Sequence, residues 1–207
     1  MNFKTLSALA GLLCATPAFS LPVLLDFEGA TSFASIGELY NGGTDSAGAS
    51  GPNMGASFGG DALAVSNDAT TTFFSNAPSP GAVLAPVGVD AALNVAAGFY
   101  GQASFFYSSL ANVTVDIFSG LNGTGTLLGS FSLLANAQNG CSDSSFCRWD
   151  LASVNFSGFA RSIQFAGAAN AAGFDDVRIT VPEPAALLLL ALGLGGLLLT
   201  RRLQSKA

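Results

Sequence analysis

The chain has 207 residues, half of them hydrophobic and only 10% charged, with 25 glycines, 17 phenylalanines, no histidine and a formal net charge of −6. Without histidine there is no imidazole to serve as base or ligand, which removes Ser–His and Cys–His nucleophile pairs and every histidine-ligated metal centre. An acidic surface repels nucleic-acid phosphates, so nucleic acid is excluded as a partner.

In chain order, residues 1–20 read as a secretory signal peptide. Lys4 supplies a basic n-region, 6–15 is apolar, and Ala18 and Ser20 are the small residues that place the cut before Leu21. Cys14 leaves with this segment, and the bulky Leu13 before it rules out lipoprotein processing. Residues 21–180 then form one domain, long enough to bury a core. Between 21 and 181, twelve acidic residues stand against three arginines, a balance of −9, and lysine is absent.

Short runs rich in Val, Ile, Phe and Thr follow, broken roughly every ten residues by Gly, Asn, Ser or Pro. Strands are predicted at 23–28, 62–66, 70–74, 82–87, 91–97, 102–107, 112–118, 126–134, 148–156, 161–166 and 173–180. The run 112–118 alternates well, with Val113, Val115 and Ile117 on one face and Thr114 and Asp116 on the other. No internal repeat is present, so the expected fold is all-β, an antiparallel two-sheet jelly-roll-like β-sandwich with most phenylalanines in its core. Residues 41–60 are the one long segment without strand character, and such a loop is functional or disordered. Asp45 within it and Asp61 just after it could supply an oxygen-rich site, but their spacing matches no named calcium motif and both are expected to be solvated.

Candidate chemistry is sparse. Ser57 sits in a G-x-S-x-G pattern, but a nucleophile elbow needs a following helix and a histidine, and neither is indicated. Cys141 and Cys147, separated by five residues in a Gly/Ser/Asp loop, predict a disulfide in an oxidising compartment; zinc would need more ligands than the loop offers. A carbohydrate-active hydrolase using paired Asp/Glu is the alternative function, since a glycosidase needs only two carboxylates. The single Trp149 and Tyr40, Tyr100 and Tyr107 do not suggest its aromatic-lined cleft. In the last strand, alternation puts Asp175 on the same face as Val177 and Ile179, where an unpaired carboxylate is costly. Solvent, or Arg161 or Arg178, would neutralise the Asp175-Asp176 pair.

The chain closes with residues 181–207. Pro182-Glu183-Pro184 forms an extended joint, because two prolines fix φ and remove donors. The uncharged run 185–199 reaches about 23 Å as a helix against ~30 Å of hydrocarbon, a short transmembrane helix that bilayer thinning accommodates. Arg201, Arg202 and Lys206 then lie on the cytoplasmic side and the folded domain outside.

The proline-glutamate-proline triplet, the Leu/Gly-rich helix and the basic end together resemble the PEP-CTERM sorting signal of Gram-negative bacteria. The resemblance implies exosortase as partner, a membrane-embedded cysteine-protease-like transpeptidase, with cleavage near the triplet. It also implies an inner-membrane-anchored precursor and delivery to the cell surface or extracellular polymeric matrix. The stretches LDFEG, YNGGTDSAGASGPNMGASFGGDALAV, VTVDIFSGLNGTGTLLG and GFDDVRIT resemble a recurrent β-sandwich ectodomain of PEP-CTERM proteins, which brings no established catalytic residues. The expected function is therefore structural or adhesive and non-catalytic, with exopolysaccharide or other matrix components as partners. Phe27-Glu28 near the first strand with Asp175-Asp176-Val177 in the last resembles carbohydrate-binding jelly rolls. There the likeness implies a structural calcium ion, with Glu28, Asp175 or Asp176 and loop carbonyls as ligands.

Overall fold

Alternation decides which face of a strand turns inward, and the strand Val113–Phe118 obeys it: Val115 and Ile117 are fully buried, Asp116 between them is half-buried, and Thr114 before them is exposed. The computed structural model describes residues 20–68 and 73–182; most of the predicted leader, residues 1–19, and the predicted tail beyond Pro182 lie outside the described residues. Among the described residues there are nine strands: β1 (Ser20–Leu25), β2 (Ala56–Phe58), β3 (Ala62–Ser66), β4 (Ala82–Pro86), β5 (Ala92–Ser109), β6 (Val113–Phe118), β7 (Leu127–Leu133), β8 (Asp150–Gln164) and β9 (Ala172–Pro182). One 3-10 turn at Ala166–Ala168 accompanies them. Among the described residues no helix is long and apolar enough to cross a membrane, and the expected transmembrane helix falls outside them.

Every strand pairing is antiparallel. The sheet runs β3-β4-β9-β5-β8-β6-β7, with β1 added to β9 and β2 to β5. Two pairs of strands expected to be separate are continuous: 91–97 with 102–107 makes β5, and 148–156 with 161–166 makes β8. The glycines that look like breakers are bulge positions. Register slips between Asn94 and Phe99 and again between Tyr100 and Gln102, where Gly98 and Gly101 adopt φ of 77° and 83°. That left-handed backbone suits glycine, and a bulge bends the strand without ending it.

The bend lets each long strand serve two layers. The first residues of β5 lie between β2 and the end of β8, and its last lie between β9 and the beginning of β8. The sheet therefore folds over itself into a sandwich. Phe105 of β5 meets Phe131 of β7 at 4.4 Å between ring centroids, although those strands are not neighbours. Phe174 stands edge-on to Phe105 at 5.1 Å, and Phe165 closes the group at 4.8 Å from Phe174. All four rings are buried, each worth about 1.5–3 kcal/mol of burial.

The segment 41–60 is more ordered than its composition suggests. Its end supplies β2, and bridges join Asn41 to Asn53 and Thr44 to Ser50. Gly51 packs so closely on the Leu39 carbonyl that a Cβ would collide with it. Asp45 is not solvated: it is buried, and its carboxylate accepts hydrogen bonds from the backbone N–H groups of Thr31 (2.8 Å), Ala47 and Ala49 (2.9 Å each). Asp61, nearer the surface, accepts from the Asp90 N–H at 2.8 Å.

A second apolar cluster holds Val65, Phe74, Val83, Ala85, Ala137 and Phe146, with Phe74 and Phe146 stacked at 4.7 Å. Directly after Phe146, Cys147 is bonded to Cys141, as the spacing predicts, with an S–S distance of 2.05 Å.

Two substitutions test this architecture by urea denaturation. Phe105→Ala empties the centre of the ring group and is expected to cost about 3–5 kcal/mol. Replacing both cysteines by serine releases a loop of sequence separation six and is expected to cost about 2 kcal/mol. A loss under 1 kcal/mol for Phe105→Ala would mean that the ring does not hold the two layers together.

Candidate functional site

The first and last strands of the domain meet around Ser79 and Gly81. Between Ser104↔Arg178 and Phe106↔Asp175, β5 advances two residues and β9 three, so β9 carries one extra residue. Asp176 sits there with φ 51°. The bulge breaks the alternation expected of this strand: Phe174, Val177 and Ile179 share the main core, whereas Asp175 pairs with Phe106 on the opposite face. Asp175 is still completely buried, but under the segment around Ser79 and not at the rim of the core.

Its carboxylate has three neighbours. Oδ1 accepts from Ser79 Oγ at 2.6 Å and from the Asp176 N–H at 2.7 Å, and Oδ2 accepts from the Ser79 N–H at 2.8 Å. Ser79 Oγ also lies 2.9 Å from the Asp26 carbonyl oxygen. A hydroxyl has one proton and cannot donate to both acceptors at once. Protonation of Asp175 resolves the conflict, since its O–H then donates to Ser79 Oγ and the Ser79 proton goes to the Asp26 carbonyl. Burial acts in the same direction and outweighs the Ser79 and Asp176 hydrogen bonds, pushing the carboxyl up to about 6.

The other predicted ligands lie around the same segment, each engaged by the protein. Glu28 accepts from the Gly81 N–H at 2.6 Å. Asp176 forms an ion pair with Arg178 at 2.7 Å, so arginine neutralises this one of the two aspartates. Asp26 accepts from the Tyr40 hydroxyl at 3.2 Å; burial first, and the Asp26 charge second, raise that phenol far above its ordinary value, so it remains a donor. Among the described residues no group of three or more His, Cys, Asp or Glu side chains is placed to hold a metal ion. Glu28, Asp175 and Asp176 each give at least one carboxylate oxygen to a protein donor.

Ser57 lies inside β2 opposite Asn94, so the G-x-S-x-G pattern is strand and not an elbow. An exposed strip stands at the bend of β5 and β8. Tyr100 and Phe159 are paired across the strands with near-parallel rings, 6.3 Å apart and 17° inclined. Phe159 is 45% exposed, and its ring lies over Gly98 with no room for a Cβ beneath. The next pair, Gln102 and Asn155, is joined by an amide hydrogen bond at 3.2 Å. Composition alone does not single out this strip, because it depends on a bulge that aligns two separate runs of sequence.

The sorting triplet straddles the end of the described residues. Pro182 is the last residue of β9, opposite Ser20 of β1, while Glu183, Pro184, Arg201, Arg202 and Lys206 lie outside. A family model described as the PEP-CTERM protein-sorting motif matches residues 180–202. No curated protein matches the chain. Among solved structures, the chain is similar to CBM29_1, a family 29 carbohydrate binding module from Piromyces equi, at 10% identity and a TM-score of 0.41, covering 78% of this chain and 91% of that one. It is also similar to the carbohydrate binding module CBM6cm-2 from Cellvibrio mixtus lichenase 5A, solved with cellotriose, at 14% identity and a TM-score of 0.29, over 50% of this chain and 79% of that one.

The raised carboxyl of Asp175 predicts a pH signature. Its folded value lies above the ordinary unfolded value of about 3.9, so the stability it contributes is full below about pH 4 and is lost as pH rises through about 6. Compared with Asp175→Asn, which cannot titrate, the natural protein should lose on the order of 2 kcal/mol between about pH 4 and pH 7. Parallel stability curves for the two proteins across that range would show that folding does not raise the Asp175 carboxyl.

Proposed function

Because the chain carries a PEP-CTERM protein-sorting motif across residues 180–202, we propose that it is an exported, non-catalytic β-sandwich ectodomain delivered by an exosortase to the cell surface or extracellular matrix. The motif is the observation that carries this reading, and the leader at 1–20 supports it. In the precursor, Pro182, Glu183 and Pro184 form the processing joint, and the tail holds the protein in the inner membrane with Arg201, Arg202 and Lys206 on the cytoplasmic side. The domain limits follow as 1–20 leader, 21–180 ectodomain and 181–207 sorting tail.

In the matrix the role is structural or adhesive, with polysaccharide as partner. Support comes from the strip at the bend of β5 and β8. Sugars present apolar C–H faces to aromatic rings and hydroxyls to amides, and Tyr100, Phe159, Gln102 and Asn155 offer both kinds of surface side by side. The paired-carboxylate hydrolase finds less support, since Asp175, the most perturbed acid described, is closed off under Ser79.

Two measurements test the reading. In a host with its exosortase the protein should reach the extracellular polymer fraction, and in a host lacking the enzyme it should stay with the membrane; equal release from both hosts would sink the sorting step. In pull-downs with matrix polysaccharide, Tyr100→Ala with Phe159→Ala should weaken retention at least tenfold while the far-UV spectrum is unchanged. Undiminished retention would move the glycan contact elsewhere.

A further inference from the structure

Three residues of the sorting motif belong to the folded domain. The match begins at Thr180, yet β9 continues to Pro182. Up to Ile179, β9 is flanked on both sides, by Ala103 of β5 and Val23 of β1. From Thr180 onward its partner is β1, in the register Thr180↔Pro22, Val181↔Leu21 and Pro182↔Ser20. Val181 is also packed against the main core, as is Val23. This end of the motif is thus held by an edge strand and by apolar contact together.

A protease reads its substrate as an extended chain through the same backbone groups that a neighbouring strand uses. While β1 is in place, one backbone edge of Thr180 and Val181 is taken and Val181 is packed on the core, so the residues before Pro182 cannot detach into an enzyme's cleft. We infer that the bond cut during sorting lies on the C-terminal side of Pro182, and that β1 sets this limit. The inference rests on the sorting reading above. Cleavage breaks one peptide C–N bond: the acyl carbon passes to the transpeptidase's cysteine thiol, the departing nitrogen takes the thiol proton, and water or a primary amine then accepts the acyl group. The mature protein keeps the whole of β9, so the sandwich loses no paired residue when it loses its tail.

The same register brings the two processing points together. The predicted leader cut before Leu21 and the start of the tail after Pro182 stand at one end of one two-stranded ladder. The two processing points therefore stand side by side, and a cut before Leu21 takes Ser20, the first residue of β1, with the leader while Leu21–Leu25 stay paired with β9.

The test uses the full chain in an exosortase-bearing host, with the intact mass and C-terminal peptide of the exported protein measured. The expected last residue is Pro182 or one beyond it. An end at Val181 or earlier overturns the inference and leaves the sorting reading standing, whereas retention through Lys206 overturns both. Hydrogen exchange on the detergent-held precursor, from a host lacking the enzyme, checks the ladder separately. Peptides covering 178–182 should exchange at least a hundredfold more slowly than an unstructured chain, and free exchange there overturns the inference even if the cut site agrees. Leu24→Pro, which places a ring in β1 at an exposed position, should abolish that protection and shift the cut upstream; an unmoved cut with protection lost would show that β1 does not set the limit.

Discussion

The bend in β5 is the constraint on which the rest of the structure depends. A domain without α-helix among its described residues must enclose its phenylalanines with sheet alone, and a flat sheet has two open faces. By slipping register at Gly98 and Gly101, β5 leaves one layer and enters the other, and β8 follows it along the same path. The group formed by Phe105, Phe131, Phe165 and Phe174 is the product of that turn. So is the surface strip of Tyr100 and Phe159, which lies on the bend itself. Core and candidate contact surface thus share one cause.

Carboxylates are the second constraint, and the domain meets it without many cations. Asp45 is held by three backbone N–H groups, Glu28 and Asp61 by one each, and Asp175 by two N–H groups and a hydroxyl. Two ion pairs are formed among the described residues, Arg148 with Asp150 and Arg178 with Asp176. Backbone donors have fixed geometry and little entropy left to lose, so they order loops in a way that exposed ion pairs do not. The segment 41–60 is an example, its turn gathered around Asp45.

What was legible in the sequence follows from these two constraints. Strand alternation, the buried phenylalanines and the Cys141–Cys147 bond depend on local pattern and spacing, and each was readable. Glycine was ambiguous, because the same residue ends a strand or bends it, and Gly98 and Gly101 were read as ends. The face of Asp175 was misread for a related reason: its strand contains a left-handed Asp176, and aspartate at such a position leaves no mark in a periodic pattern. Asp45 was read as solvated because its donors are supplied by Thr31, Ala47 and Ala49 backbone, to which side-chain composition is blind. The tail was legible as a motif, but its overlap with β9 could come only from the register with β1.

The register of β1 with β9 has a chemical consequence when joined to the missing lysines. Residues 21–182 contain no side-chain primary amine. The leader cut proposed before Leu21 would make the α-amine of that residue the sole primary amine of residues 21–182, across the ladder from Val181. Any chemistry that joins proteins to their surroundings through amines, whether by aldehydes, reducing sugars or acyl transfer, would then meet this sandwich at a single pole. The remainder of its surface is inert to such coupling, and an array of these domains fixed that way would stand in one orientation.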